Sequence, residues 1–253
     1  MPAATALRIQ IEHALERRFP AALSPAPAAV YETAPTGIAE VDSLLDGGLP
    51  IGAISEVTGP ACSGRTSLAL AFLAGCNREA QVCAWVDAED AFDAESAAAS
   101  GVDLKRLLWV RCRNAGRPDK PWTRLDQALR ATDLLLQAGG FAAIVLDLGG
   151  AEPAHASRIP LATWFRFRQA AGRTRCSLVV LGQAAYAQSS AAVVLECSAA
   201  RAGLINRTVM SGLTYEVRRG RKRPAPAIAI LRKPPAAVST WMATGAWKTE
   251  RRA

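Results

Sequence analysis

Histidine is nearly absent: His13 and His155 are the only two in 253 residues, too few for a histidine-based metal centre. The six cysteines stand at 62, 76, 83, 112, 176 and 197. Even the closest pair, Cys76 and Cys83, is too far apart for a CxxC metal or redox motif, so the thiols are read as reduced and mostly buried. Long apolar runs are missing too. The longest is about seven residues, against the roughly 20 that a membrane span needs. No charged-then-apolar signal pattern opens the sequence, and the expectation is a soluble, cytoplasmic protein. No internal repeat is visible. Apolar residues, by contrast, make up 50%, which excludes global disorder and allows a sizeable core. The length fits one large α/β domain or two small ones.

Charge is unevenly placed. The net +8 hides a balance of −2 over residues 1–200 and +10 over residues 201–253, where 12 Lys and Arg face 2 Asp and Glu. Such an asymmetry implies a polyanionic partner or a solvated basic tail.

The hydrophobic pattern divides the chain into three stretches. In residues 1–34, Leu7, Ile11, Ala14 and Leu15 form one stripe of an amphipathic helix over 4–19, followed by a linker rich in Pro and Ala. That stripe has no sequence neighbours to cover it and must dock on the main body or on another subunit. In residues 35–200, short apolar runs at Ile54–Thr58, Val82–Asp87, Leu107–Arg111, Ala142–Leu148 and Leu178–Gly182 alternate with helical stretches near Thr66–Arg78, Asp93–Ser100, Thr123–Ala138 and Leu161–Ala171. Apolar strands alternating with helices predict a doubly wound, mostly parallel sheet covered on both faces. After Ala191 the helices fade. Val193–Glu196, Leu213–Val217 and Ala227–Leu231 read as an antiparallel C-terminal extension, with residues 201–253 forming a basic extension and tail.

Gly59-Pro60-Ala61-Cys62-Ser63-Gly64-Arg65-Thr66 follows an apolar strand and opens a helix, the context of a phosphate-binding loop. Its glycines let backbone N–H groups wrap a phosphate, and the helix N-terminus adds partial positive charge. Gly59, Pro60, Ser63, Gly64, Arg65, Thr66 and Ser67 are thus candidate nucleotide contacts, with Thr66 placed to hold Mg²⁺ through its hydroxyl. Arg65 occupies the place usual for Lys. Lys reaches terminal phosphates as a compact point charge, whereas Arg is a planar, bulkier fork. Binding is therefore expected to survive where hydrolysis is weak.

Carboxylates cluster downstream. Asp147 ends an apolar strand, where a metal-supporting carboxylate sits in phosphate-loop proteins. Asp87, Glu89, Asp90 and Asp93 follow another strand. They suit either a water-polarising site or an acidic helix start satisfied by the helix dipole. Gln183, after a further strand, reads as a γ-phosphate sensor or a plain turn residue.

Taken together these residues resemble the RecA family of recombination ATPases. The likeness runs over about residues 35–200, from Thr36-Gly37-Ile38 and Gly47-Gly48-Leu49-Pro50-Ile51-Gly52 through the phosphate loop to Asp87-Ala88-Glu89 and Gly101-Val102-Asp103-Leu104. The resemblance implies a RecA-like fold, ATP and Mg²⁺ as ligands, Glu89 as the water-activating base, Asp147 as the Mg²⁺ carboxylate and Gln183 as the amide coupling nucleotide state to DNA. The family's adenine-stacking aromatic is replaced by Ser96. The stretches corresponding to its two DNA loops, between Gly149 and Pro160 and over Ala184–Ala191, are short. In its small size, leading helix and Pro-rich linker, the chain is similar to the ImuA family, short RecA-like accessory proteins of SOS mutagenic translesion synthesis. That likeness implies a damage-response role at the nucleoid. The implied partners are a Y-family polymerase homologue, an error-prone polymerase, RecA as a further candidate, and single-stranded DNA.

The densest basic run, Arg218, Arg219, Arg221, Lys222 and Arg223, lies between two predicted strands. It reads as a hairpin loop that tracks DNA phosphates or as a solvated loop. Three functions stay open: a nucleotide-binding accessory factor with weak ATPase activity, an active DNA-dependent ATPase of filament type, and a nucleotide-free adaptor.

Overall fold

A computed structural model describes residues 31–113, 121–198, 201–205, 209–220 and 228–232. The expected helix over 4–19, most of the Pro-rich linker, and Arg221, Lys222 and Arg223 lie outside the described residues.

The described chain opens with β1 (Thr33–Ala34), α1 (Ala39–Leu44) and β2 (Leu49–Pro50), where β1 and β2 pair antiparallel. Next come β3 (Ile54–Thr58), α2 (Arg65–Arg78), β4 (Cys83–Asp87), α3 (Ala94–Ala99), β5 (Leu107–Arg111), α4 (Pro121–Ala138), β6 (Ala143–Asp147), α5 (Pro153–Ala156), α6 (Leu161–Thr174) and β7 (Ser177–Gly182). The chain continues with β8 (Ala191–Cys197), β9 (Arg201–Ile205), β10 (Val209–Arg219) and β11 (Ile228–Arg232).

Six of these strands, in the order β8-β3-β7-β6-β4-β5, pair parallel. The near-continuous apolar sequences of β4, β6 and β7 go with burial on both faces, while the edge strand β5 is only partly covered. Alternate residues divide between two cores. Val57, Trp85, Val145 and Val179 join α2 through Leu68, Phe72 and Leu73 on one side. Ile54, Val86, Ile144 and Leu178 join α4 and α6 through Leu136, Trp164 and Phe167 on the other. Each such fully buried side chain is worth roughly 1.5–3 kcal/mol over exposure, so the sheet is fixed from both faces. No helix among the described residues is long and apolar enough to cross a membrane.

Two expectations are corrected. Val193–Glu196, read as antiparallel, lies in β8, which runs parallel beside β3. The antiparallel extension begins only with β10, which pairs with β8 at Val217–Arg219 and with β9 and β11 elsewhere. Arg218 and Arg219, read as part of a hairpin loop, are the last two residues of β10. Cross-strand bonding to Glu196 and Leu195 draws them into the sheet.

Candidate nucleotide site

All six parallel strands end on one edge of the sheet, where open α/β folds bind their ligands. Beyond β3 the chain turns sharply into α2. Gly59, Cys62 and Gly64 have φ of 151°, 58° and 87°. A Cβ on Gly59 would stand 2.3 Å from the carbonyl oxygen of Cys197, and one on Gly64 would stand 2.8 Å from the Tyr215 ring. The end of β8 and the face of β10 therefore press on the loop, and only glycine fits at either place. Gly64 caps α2 without a side-chain hydrogen bond, and no acidic residue stands in the first turn. The N–H groups of that turn are left to an incoming anion.

Two polar atoms in the loop are buried without a hydrogen-bond partner among the described residues: Ser63 Oγ and Arg65 Nη1. A buried, unmatched guanidinium N–H costs free energy that an anion would recover. Thr66, next along, is exposed.

The loop after β6 is the hub of the site. Gly149 donates its N–H to Asp147 Oδ1 at 2.9 Å. A Cβ at Gly149 would lie 3.0 Å from Asp147 Oδ1 and 3.3 Å from both terminal nitrogens of Arg65. Gln183 Nε2 donates to the carbonyls of Gly149 and Ala151, each at 3.4 Å. A Cβ at Gly150 would meet Glu89 Cγ at 3.2 Å. Arg65, Asp147, Gln183 and Glu89 thus converge on three loop residues. Burial pushes the Asp147 carboxyl up to about 6, with Asp87 and Glu89 adding and the Gly149 bond and Arg65 opposing. A divalent cation would supply the missing positive charge. No group of three His, Cys, Asp or Glu among the described residues is placed to hold a metal. Thr66 and Asp147 could hold Mg²⁺ together with phosphate oxygens and water, its usual manner.

The four downstream carboxylates divide by role. Asp87 is buried and accepts from the N–H groups of Ala91 and Phe92, at 3.0 and 2.9 Å, and from Trp109 Nε1 at 3.3 Å. Phe92 in turn packs between Trp85 and Trp109, at centroid distances of 4.9 and 5.2 Å. Asp90 takes both Arg111 Nε and Nη2, at 2.6 and 2.9 Å, which holds its carboxyl below the usual range. Asp93 caps α3 by accepting from the N–H groups of Glu95 and Ser96 and from the Ser96 hydroxyl. These three shape the turn. Glu89 alone lies against the hub loop, and its Oε2 accepts from Arg124 Nη1 at 3.2 Å.

Sequence reasoning passed over Arg124, Glu56 and Tyr215. Arg124 meets Glu89 from 35 positions away, with no local pattern to mark it. Glu56 is buried within β3, and its Oε1 accepts from the N–H groups of Tyr186 and Ala187 at 2.5 and 2.8 Å. A glutamate in the middle of a short strand that leads into the phosphate loop was the available signal. The two described members of the C-terminal basic run pair elsewhere: Arg218 with Glu196 at 2.6 Å and Arg219 with Asp46 at 3.5 Å.

A glycine-bounded loop between a parallel strand and a helix, with a half-buried carboxylate ending a nearby strand, defines the phosphate-loop class of α/β nucleotide-binding proteins. The RecA N-terminal domain family matches residues 4–156, and the chain belongs to that family. The chain is 42% identical over 123 residues to the protein RecA of Brucella anthropi, covering 48% of this chain and 31% of the relative. It is 42% identical over 117 residues to the protein RecA of Allorhizobium ampelinum (46% and 30%), and 41% over 117 residues to that of Rhizobium rhizogenes (46% and 30%). The chain thus spans about a third of the length of the curated relatives it matches.

Proposed function

We propose that the chain binds ATP with Mg²⁺ at Gly59–Ser67, turns it over slowly, and serves as a RecA-like accessory factor in SOS mutagenic translesion synthesis. The observation that carries the nucleotide reading is the Arg65 guanidinium. It has a buried, unpartnered nitrogen and stands against Gly149 beside Asp147. The loop amides, Ser63, Arg65 and Ser67 would hold the phosphates, and Thr66 and Asp147 the Mg²⁺, which neutralises phosphate charge. Glu89 would accept a proton from the attacking water. Gln183, bonded to the hub loop, would pass the state of the site to the segment that follows it. Arg65 slows turnover because a planar fork binds ground-state oxygens well but follows a moving phosphoryl group poorly.

The accessory reading is supported by the segment after Gln183. It is short, and Glu56 ties it down through Tyr186 and Ala187, whereas a strand-exchange enzyme needs a long adaptable DNA loop there. Expected partners are a Y-family polymerase homologue, an error-prone polymerase and RecA, with single-stranded DNA as a further ligand and the nucleoid as the place of work. The placement of Glu89 against the hub loop favours a second reading, an active DNA-dependent ATPase.

Titration with a fluorescent ATP analogue and Mg²⁺, followed by phosphate release with and without single-stranded DNA, separates these readings. Binding with little release in either condition supports the accessory factor. DNA-stimulated turnover near ~10 s⁻¹, ordinary for an enzyme, supports the second reading. No binding at millimolar nucleotide contradicts both and leaves an adaptor.

A further inference from the structure

The Glu89–Arg124 pair has no part in the phosphate and metal roles assigned above, yet it engages the acidic side chain of the downstream cluster that lies against the hub loop. Arg124 stands in α4, and its Nη1 donates to Glu89 Oε2 at 3.2 Å, with the two side chains 32% and 34% exposed. Arg124 Nε is buried without a partner among the described residues, so the guanidinium is held by packing as well as by charge. On the other side Glu89 is backed by Gly150, whose Cβ position lies 3.2 Å from Glu89 Cγ and 3.3 Å from its Cβ. The stem of Glu89 is therefore set against a backbone wall, while its carboxylate meets a cation.

We propose that Arg124 is a positioning residue that latches Glu89 away from base chemistry and keeps hydrolysis slow until the pair opens. A general base must turn an oxygen to water and take up its proton. In the latched state Oε2 already accepts from Arg124. A pair about one-third exposed is worth up to about 1 kcal/mol after solvent screening, equivalent to about fivefold in rate. The latch rests on the reading of the site as an ATP site.

The test compares the full-length wild type with Arg124→Gln, Arg124→Lys, Glu89→Gln and the Arg124→Gln/Glu89→Gln double variant. Affinity for a fluorescent ATP analogue and phosphate release at saturating ATP are both measured. Arg124→Gln is expected to raise the saturated rate about fivefold with unchanged affinity, and Arg124→Lys to keep the slow wild-type rate. Adding Arg124→Gln to Glu89→Gln is expected to change nothing, because the group through which Arg124 acts is gone. Arg124→Met, which keeps the aliphatic stem, gives the same readout should Arg124→Gln not fold. Analogue binding with no rate gain in Arg124→Gln overturns the latch alone. A gain that persists without Glu89 also overturns it. Loss of analogue binding in the wild type overturns the ATP site and the latch with it.

Discussion

Asp147 bears a cost of its own burial. Burial raises its carboxyl to about 6 from 3.8, so the folded protein binds a proton more tightly there than the unfolded chain does. The resulting instability is complete above pH 6 and fades as the pH falls through the folded value toward 3.8. Asp147→Asn keeps an oxygen to accept the Gly149 N–H and removes the charge. The nucleotide-free variant should therefore be more stable than wild type by about 3 kcal/mol at pH 8, with the gain shrinking toward pH 4. Urea melts at the two pH values check this, and a variant less stable than wild type at pH 8 contradicts it. Cys62 offers a second residue-level probe. It is exposed in the phosphate loop, while the other five free thiols are buried. A thiol reagent should label it first, and ATP with Mg²⁺ should protect it; labelling unaffected by nucleotide would place ATP elsewhere. At this scale the sequence was legible wherever a motif is local, as in the loop itself. It was ambiguous where function depends on direction. Asp87, Glu89, Asp90 and Asp93 look alike in a row, and only the turn geometry separates the three that brace the turn from Glu89, which lies against the hub loop.

The elements that shape the site include one that sequence periodicity misjudges. β8 has the apolar pattern of its parallel neighbours, yet it follows a stretch with no long helix, which made it look antiparallel. The segment Gln183–Ser190 supplies the crossover instead, and Glu56 in β3 anchors it. Glu56→Leu would leave the amides of Tyr186 and Ala187 without their acceptor, at about 1–3 kcal/mol for each buried donor. The expected result is a loss of several kcal/mol in urea melts and fast hydrogen exchange at those two amides. Retained protection would show that the segment holds itself. β10 was legible as a strand, but the contact of its Tyr215 with Gly64 was not, because it joins residues 151 positions apart. That contact makes the C-terminal extension part of the floor of the phosphate loop.

Across the whole molecule, the excess of basic residues over 201–253 is the feature that favours a polyanion. Arg218 and Arg219 already face Glu196 and Asp46, so neutralising these two alone should barely change DNA affinity. Neutralising Arg221, Lys222 and Arg223 as well should flatten the slope of log affinity against log salt by roughly 0.7 per lost single-strand contact. A five-site variant with the wild-type slope would move the DNA surface to the segments after Asp147 and Gln183. The alternation of strand and helix made the parallel sheet legible, whereas the convergence of Arg65, Asp147, Glu89 and Gln183 on one loop comes only from the way the sheet brings strand ends together. The central claim is that this convergence forms an ATP site whose turnover Arg65 restrains. Its most direct test is phosphate release at saturating ATP by wild type and Arg65→Lys measured side by side. Slow release by the wild type and a clear increase in the variant are expected. Turnover near ~10 s⁻¹ in the wild type, with no gain from lysine, would contradict it.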